Sequence, residues 1–208
     1  LSTTAGILAA LVARPRAGRG QIVDAGLLDA GLWATQDHWP ALFRSSMQPQ
    51  RLGNRHRHHA PHNCFEAVDG WIALAIESDA QWEAWCRIAG MPELAADARF
   101  QHAAERLSCV KEVEAIVRPW IAQKSTSEAV ELCIAAGVPA APVLTLSQAV
   151  EQPLSREREM LVSQSRSSVG TIRVIGAAIK MSRSKVAVQR MAPDLGEHNN
   201  RLPSNQTR

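Results

Sequence analysis

Residues 69–85 read DGWIALAIESDAQWEAW, and this stretch decides how the middle of the chain folds. Asp69 and Gly70 form a dipeptide typical of a tight turn, and the apolar run WIALAI that follows it at residues 71–76 has the length of a strand. Ser78 and Gln81 then match a capping box, which marks the start of a helix. The apolar residues that follow at helical spacing are Trp82, Trp85, Cys86 and Ala89. The stretch therefore predicts a turn, a buried strand and a helix with one buried face.

Two carboxylates, Glu77 and Asp79, lie between the predicted strand and the predicted helix. The free N–H groups and the dipole at a helix N-terminus stabilise negative charge, so a carboxylate here can serve in a binding or catalytic site. A carboxylate at such a position is also an ordinary helix cap, which is the interpretation we favour for Asp79.

The composition is that of a folded globular protein, since 46% of the 208 residues are hydrophobic and 21% are charged. A net charge of +3 does not by itself indicate nucleic acid, although arginines and histidines make residues 44–62 locally basic. No apolar run approaches the roughly 20 residues that cross a bilayer, and the first residues lack the basic start of a signal peptide. The four cysteines are more than 20 residues apart. We therefore expect free thiols in a cytoplasmic protein without a membrane or nucleic-acid partner.

The first residues include the apolar segment AGILAALVA, which predicts a helix. Pro15 predicts that this helix ends near Ala13, and a helix that is apolar on nearly every side is expected to be buried. Residues 21–23 then predict a short strand, with Asp24 as the N-cap of the next helix. Because the chain begins at Leu1 inside a helix already under way, we expect it to be a fragment.

Residues 51–62, RLGNRHRHHAPH, have no hydrophobic period and predict an ordered loop or a linker. Four histidines fall within seven positions of this segment, namely His56, His58, His59 and His62. Their spacing does not match a metal site, because two are adjacent and no cluster of cysteines or carboxylates completes a coordination shell. We therefore expect no metal here.

The rest of the chain predicts a mixture of helices and strands. Predicted strands lie at residues 63–68, 71–76, 161–162 and 171–175, the first two as a hairpin. Predicted helices lie at residues 110–121 and after Ser125 and Thr145, which open further capping patterns. Residues 138–143 are extended but too rich in proline for a central strand. The middle of the chain is therefore predicted to be α+β.

Several short blocks follow one another in a recognisable order. They are GILAAL at 6–11 with GRGQ at 18–21, GN at 53–54 with AP at 60–61, DGWIALA…QW at 69–82, AGVPAAPV at 136–143, GTI at 170–172 and APDLGEH at 192–198. Together they resemble the family III CoA-transferases, or CaiB/BaiF family, which includes formyl-CoA and carnitine CoA-transferases and 2-methylacyl-CoA racemases.

The resemblance implies an α/β fold of two domains. A large Rossmann-like domain is made from both ends of the full subunit, and a small α+β domain is inserted between them. On that map residues 1–50 belong to the large domain, residues 51–150 form the linker and the small domain, and residues 151–208 return to the large domain. The chain is then the C-terminal portion of the fold, and two subunits interlock as a homodimer.

The resemblance also implies an activity, the transfer of CoA between carboxylic acids through an acyl-aspartyl anhydride. An aspartate carboxylate attacks the thioester of the acyl-CoA substrate. In the family this aspartate lies just before the helix that the first residues continue. We therefore expect the nucleophile upstream of Leu1 and expect this chain alone to be inactive. The implied partners are an acyl-CoA and a carboxylic acid, with CoA as the only cofactor.

Within the chain, the resemblance points to a loop and a carboxylate. The loop residues assigned to substrate or CoA binding are Gly53, Asn54, Arg55 and His56. Asp79 matches a position where racemase relatives carry a glutamate that moves a proton at the α-carbon, and Glu77 is its nearer competitor. Two alternatives to the transferase stay open, an acyl-CoA racemase or epimerase and an inactive fragment with a structural or dimer-forming role.

Overall fold

The computed structural model describes residues 1–46, 48–166, 170–184, 186–188 and 192–201. The chain divides into two units, Leu1–Gly53 and Asn54–Arg208, which we call the N-terminal and C-terminal units. No helix among the described residues is long and apolar enough to cross a bilayer.

The N-terminal unit is helical wherever its described residues form regular structure. It contains α1 (Ser2–Ala17), α2 (Leu27–Ala34), a 3₁₀ turn (Gln36–His38) and α3 (Trp39–Ser45). α1 ends at Gly18, whose left-handed backbone (φ 68°) lets its N–H bond the carbonyl of Arg14. A Cβ makes this conformation unfavourable, so glycine suits the end of the helix.

α1 is longer than the sequence predicts, because it continues through Pro15 to Ala17. Proline leaves the carbonyl of Leu11 without its helical donor, but on this exposed helix water can bond that carbonyl. The expectation of a buried helix is also wrong for this structure, since α1 has no buried residue. Apolar side chains such as Val12, which is 74% exposed, have nothing in this unit to cover them.

The predicted strand at residues 21–23 is absent, and these residues form an irregular segment before α2. A strand needs a hydrogen-bonded neighbour, and the described residues of the N-terminal unit contain no other strand. Asp24 does not cap α2 either, because the N-cap is Gly26 and no side chain bonds the first turn. Both predictions are therefore wrong.

The C-terminal unit is built around an antiparallel sheet of three strands in the order β1-β2-β3. β1 (His62–Ala67) and β2 (Gly70–Ala75) form the predicted hairpin, but its two-residue turn is Val68–Asp69, one position before the predicted Asp69–Gly70, because Gly70 pairs with Ala67. β3 (Ala140–Val143) pairs with β2 at the edge. An edge strand tolerates Pro142, which agrees with the prediction that this segment is not central.

Four helices and a 3₁₀ turn accompany the sheet. They are α4 (Asp79–Ile88), the 3₁₀ turn Pro92–Ala95, α5 (Ala103–Ser108), α6 (Val110–Ala122) and α7 (Thr126–Ala135). α6 lies against β1, and α7 lies against β2 and β3. The largest fully buried side chains of the core are Trp82, Trp85, Arg106, Phe65, Phe100 and Ile72. The core thus lies between one face of the sheet and these helices.

The capping box predicted at the start of α4 is present. The hydroxyl of Ser78 accepts the N–H of Gln81, and the side-chain oxygen of Gln81 accepts the N–H of Ser78. These two bonds satisfy donors that the helix itself leaves unpaired. They fix the point where the chain turns from β2 into α4, and with it the positions of Glu77 and Asp79.

The last part of the C-terminal unit contains short elements. These are α8 (Leu146–Glu151), α9 (Pro153–Glu157), β4 (Leu161–Arg166), β5 (Gly170–Ile175) and a 3₁₀ turn (Asn199–Arg201). β4 and β5 pair antiparallel, which confirms both predicted strands. Residues 167–169 between them lie outside the described residues, as do residues 202–208. The domain boundaries near residues 50 and 150 stay predictions.

Candidate functional site

Arg106, which the sequence patterns do not single out, holds together the region around the start of α4. Its side chain is fully buried. The guanidinium donates to the carbonyls of Ala60 (3.1 Å), Phe100 (2.9 Å) and Gln101 (3.1 Å) and to Oδ1 of Asp79 (2.9 Å). A buried guanidinium is costly unless its N–H groups are satisfied. Here three segments distant in sequence satisfy it, so Arg106 fixes them relative to one another.

Asp79 uses both carboxylate oxygens within the fold. Oδ1 accepts from Arg106, and Oδ2 lies 3.2 Å from Nδ1 of His102. Burial acts to raise the pKa of Asp79, but the hydrogen bonds from His102 and Arg106 hold it below its ordinary value. A carboxylate kept ionised by a buried cation is a weak base. The geometry therefore favours a structural role for Asp79 over a catalytic one, but as an ion-pair partner and not as a helix cap, because the N-cap of α4 is Ser78.

Glu77 is the more accessible of the two carboxylates. Its side chain is 54% exposed, and Oε1 lies 3.7 Å from Nδ1 of His62, which is too long for a hydrogen bond but short enough for electrostatic attraction. The backbone N–H of Glu77 donates to the side-chain oxygen of Gln81 at 2.8 Å. The cap of α4 thus holds the backbone of Glu77 while its carboxylate stays accessible to a substrate.

Replacing Asp79 with asparagine is expected to lower the free energy of unfolding by about 1–2 kcal/mol, because an amide pairs less well with buried Arg106. Since the pKa of Asp79 is lowered in the fold, its contribution is present above the unfolded value of 3.8 and is lost as the pH falls through the folded value. The matched change E77Q is expected to cost less than about 0.5 kcal/mol. Urea unfolding at pH 7 measures the free energy of unfolding of both variants. Equal losses would contradict the structural role assigned to Asp79.

Residues 54–61, which we call the histidine loop, precede β1. The ring of His56 stacks on His59 at 4.8 Å and on His62 at 4.7 Å between centroids. The N–H of His56 donates to the carbonyl of His62 at 3.0 Å. Burial and the neighbouring rings of His62, His59 and His58 lower the pKa of His56, so its imidazole is neutral at pH 7. The segment is therefore an ordered loop, as predicted.

The histidine loop is attached to α6 by a buried carboxylate. Glu114 accepts Nε of Arg55 at 2.8 Å, Nη2 of Arg55 at 2.6 Å and Nδ2 of Asn63 at 2.9 Å. Burial acts to raise the pKa of Glu114, but these hydrogen bonds hold it below its ordinary value. The sequence did carry a signal for Glu114, because its helical spacing from Val110 and Val117 places it on the buried face.

The described residues show neither a reactive thiol nor a group of side chains arranged to bind a metal ion. The four cysteines are free. Burial raises the pKa of Cys86 to about 12 and that of Cys133 to about 11, so both are protonated at neutral pH and unsuited to nucleophilic attack. No group of three or more His, Cys, Asp or Glu side chains in the described part of the chain is arranged to hold a metal ion.

The four residues assigned to substrate or CoA binding fall on either side of the unit boundary, since Gly53 ends one unit and Asn54 begins the other. Gly53 has φ 65°, a conformation that favours glycine. Arg55 is engaged with Glu114, and His56 takes part in the histidine stack. Their contact with a substrate stays a prediction.

Comparison with known families identifies the class of protein that carries this fold. The model of CoA-transferase family III matches residues 1–199. The chain belongs to CoA-transferase family III, as the sequence blocks predict.

Two of the similar curated proteins are named as CoA-transferases. The chain is 31% identical to a succinyl-CoA:mesaconate CoA-transferase of Haloarcula hispanica, over 93% of this chain and 48% of that protein. It is 29% identical to an acetyl-CoA:oxalate CoA-transferase of Acetobacter aceti, over 85% of this chain and 44% of that protein. The chain therefore spans a little less than half the length of these relatives.

Solved structures show the same relationship. A CaiB/BaiF family protein from Brucella suis is similar with a TM-score of 0.80 and 26% identity, over 94% of this chain and 50% of that chain. A protein of M. tuberculosis is similar with a TM-score of 0.79 and 26% identity, over 94% of this chain and 51% of that chain. These similarities confirm the predicted mixed fold, of which this chain is a portion.

Proposed function

We propose that this chain is part of an enzyme that transfers CoA from an acyl-CoA thioester to a carboxylic acid. The observation that carries the proposal is the family match over residues 1–199. Two relatives support it, since their names state this reaction for succinyl-CoA with mesaconate and for acetyl-CoA with oxalate. Because the chain spans about half of such relatives, the proposal concerns the complete gene product.

The proposed chemistry uses an aspartate carboxylate as a nucleophile. The carboxylate attacks the thioester carbonyl, and the C–S bond breaks to give an acyl-aspartyl anhydride and CoA thiolate. The thiolate then attacks the aspartyl carbonyl, which releases the donor acid and leaves an aspartyl-CoA thioester. The acceptor acid repeats these steps in reverse and leaves as the new thioester. Such covalent intermediates divide one difficult exchange into easier steps, and the nucleophilic aspartate is the one that the family resemblance implies.

For the described residues, we assign the substrate-facing role to the histidine loop and Glu77. Asp79 is committed to Arg106, whereas the carboxylate of Glu77 is 54% exposed. Glu77 is therefore the carboxylate available to hydrogen-bond a substrate or to move a proton. Gly53 has no Cβ, and the wider range of backbone conformations open to glycine supports a backbone that can adjust as an acyl group binds.

Two donor–acceptor pairs test the transfer directly. The complete gene product, incubated with succinyl-CoA and mesaconate or with acetyl-CoA and oxalate, is expected to produce the thioester of the acceptor acid. Mass spectrometry of the CoA esters detects this product. Reactions without the acceptor are the control, because transfer cannot occur in them. Loss of the donor thioester by hydrolysis alone, over a panel of acceptor acids, would contradict the transferase function.

The racemase alternative is tested by incubating the complete gene product with a 2-methylacyl-CoA and an acceptor acid in deuterium oxide. A racemase removes and returns the α-proton, so it incorporates deuterium at the α-carbon of a 2-methylacyl-CoA without moving CoA. Exchange without transfer would favour the racemase, and the absence of both would favour a structural role.

The predicted homodimer and cytoplasmic location belong to the same proposal. The homodimer is supported by the exposed apolar side chains of the N-terminal unit, which a second subunit could cover. Leu8 of α1 is 58% exposed, and Leu28 of α2 is 73% exposed. Apolar surface on this scale is usually covered by another part of a protein or by a partner.

A further inference from the structure

Glu114 is an unexpected residue for the position it occupies. It lies on α6 beside Val113 and Val117, which are fully buried, and its own side chain is only 3% exposed. Burying a carboxylate costs free energy unless it is paired. An aliphatic side chain would fill the same helix face without that cost, so the carboxylate needs another explanation.

Glu114 holds the chain on both sides of the histidine loop. Arg55, near the start of the loop, donates two hydrogen bonds of 2.8 and 2.6 Å to the two carboxylate oxygens. Asn63, directly after His62, donates one of 2.9 Å. A bidentate arginine–carboxylate pair fixes orientation as well as distance. One buried group thus sets where the loop begins and where it ends.

The fixed ends determine what the loop presents between them. Next to Arg55, His56 donates its N–H to the carbonyl of His62 and stacks on His59 and His62. Nδ1 of His62 in turn lies 3.7 Å from the accessible carboxylate of Glu77. A looser anchor would therefore disturb both the histidine stack and the surroundings of Glu77.

We propose that Glu114 is a positioning residue for the acyl-CoA site, which touches no substrate but holds Arg55 and the histidine loop in the arrangement that receives the acyl group. The inference rests on the proposed function, because it takes the histidine loop as part of that site. A buried ion pair contributes little net stability, and apolar residues can often replace it without loss. A positioning role accounts for a charged pair at this place, and a stabilising role alone does not.

Hydrogen–deuterium exchange of the E114Q variant tests the anchor without any substrate. Glutamine keeps the size of the side chain but turns one N–H₂ group towards the guanidinium, so exchange of residues 54–62 is expected to accelerate about tenfold or more. The exchange rate of the backbone amides of β2 serves as the internal reference, because it reports the stability of the core. The control E112Q changes an exposed residue of the same helix that pairs with Arg99, and it is expected to leave the loop unchanged.

Two results would overturn the anchor. One is unchanged exchange of residues 54–62 in the E114Q variant. The other is an acceleration shared equally by β2, which would show a general loss of stability in place of a local loosening.

A paired replacement separates positioning from stability. The double variant R55M/E114L removes both charges and keeps apolar bulk, so its resistance to urea is expected to return towards that of the wild type. Exchange in the histidine loop is expected to stay fast, because the bidentate contact is still missing. Slow exchange in the double variant would overturn the proposal, since simple packing would then suffice to hold the loop.

The kinetics of CoA transfer show whether the anchor matters for the reaction. E114Q is expected to lower kcat/KM by about tenfold or more, mostly through kcat, while E112Q keeps wild-type values. Equal kinetics for E114Q and the wild type would overturn the positioning role. If the wild-type gene product shows no transfer, the proposed function fails instead, and the exchange data still decide whether Glu114 holds the loop.

Discussion

Replacing Arg106 with methionine is expected to lower the free energy of unfolding by about 3–5 kcal/mol. Methionine keeps an unbranched apolar stem but is shorter and donates no hydrogen bond. The carbonyls of Ala60 and Phe100 would lose their buried donor, and Asp79 would lose its cation. Each buried acceptor left without a partner costs about 1–3 kcal/mol. Urea unfolding of the variant and the wild type at pH 7 measures the difference.

Arg99 supplies the matched control for Arg106. It is 59% exposed and pairs with Asp97 at 2.7 Å and Glu112 at 3.2 Å. R99M is expected to cost less than about 1 kcal/mol, because exposed ion pairs are screened by water. If R106M were no more costly than R99M, Arg106 would not be the anchor that its contacts indicate.

Replacing Trp85 with alanine is expected to cost about 3–5 kcal/mol as well. Trp85 is fully buried, stacks on Trp82 at 5.2 Å between ring centroids and meets Trp120 edge-on at 5.7 Å. Its removal leaves a cavity where three aromatic rings meet. Nε1 of Trp85 has no hydrogen-bond partner among the described residues, so W85F loses no polar contact and is expected to cost clearly less.

Trp71 is the control for this prediction, because it lies in the same unit but is 43% exposed. W71A is expected to cost less than about 1 kcal/mol. Both variants are compared by urea unfolding under identical conditions. Equal costs for W85A and W71A would show that the tryptophan stack is not the centre of the core.

The fold of the middle region could be predicted because local and tertiary signals agree there. β2 and α4 follow from residues 69–85, since the apolar period changes from that of a strand to that of a helix at the Ser78 cap, and the turn lies one position before the predicted dipeptide. In the N-terminal unit these signals disagree. Pro15 is a helix breaker by propensity, yet α1 continues through it. Residues 21–23 have a strand's composition without a neighbouring strand, which sequence patterns cannot supply.

The candidate site could be predicted only in part, because contacts between residues distant in sequence decide the role of each carboxylate. Glu77 and Asp79 were recognised as carboxylates at a helix start, but nothing local distinguishes them. Their roles separate only because Arg106, 27 positions after Asp79, folds back to pair with it. The pairing of Arg55 with Glu114 spans 59 positions and is equally invisible to periodicity. Contacts between distant residues therefore decide which carboxylate is structural and which stays accessible.

These assignments have a practical consequence for kinetic tests of the proposed CoA-transferase activity. Because Asp79 supports buried Arg106, a loss of activity on its replacement would combine misfolding with chemistry. Glu77 is free of that complication, since its side chain is exposed and makes one long contact with His62. Kinetic effects of E77Q therefore report on the reaction itself.

Oxygen tracing tests the central claim most directly, that this gene product moves CoA through a carboxylate nucleophile. An acceptor acid labelled with ¹⁸O in its carboxylate groups leaves one oxygen on the aspartate in each cycle, and the next donor acyl group carries oxygen away from that aspartate. The account predicts that the released donor acid gains ¹⁸O from the acceptor as turnovers accumulate in unlabelled water. Donor acid that forms without any label from the acceptor would contradict it.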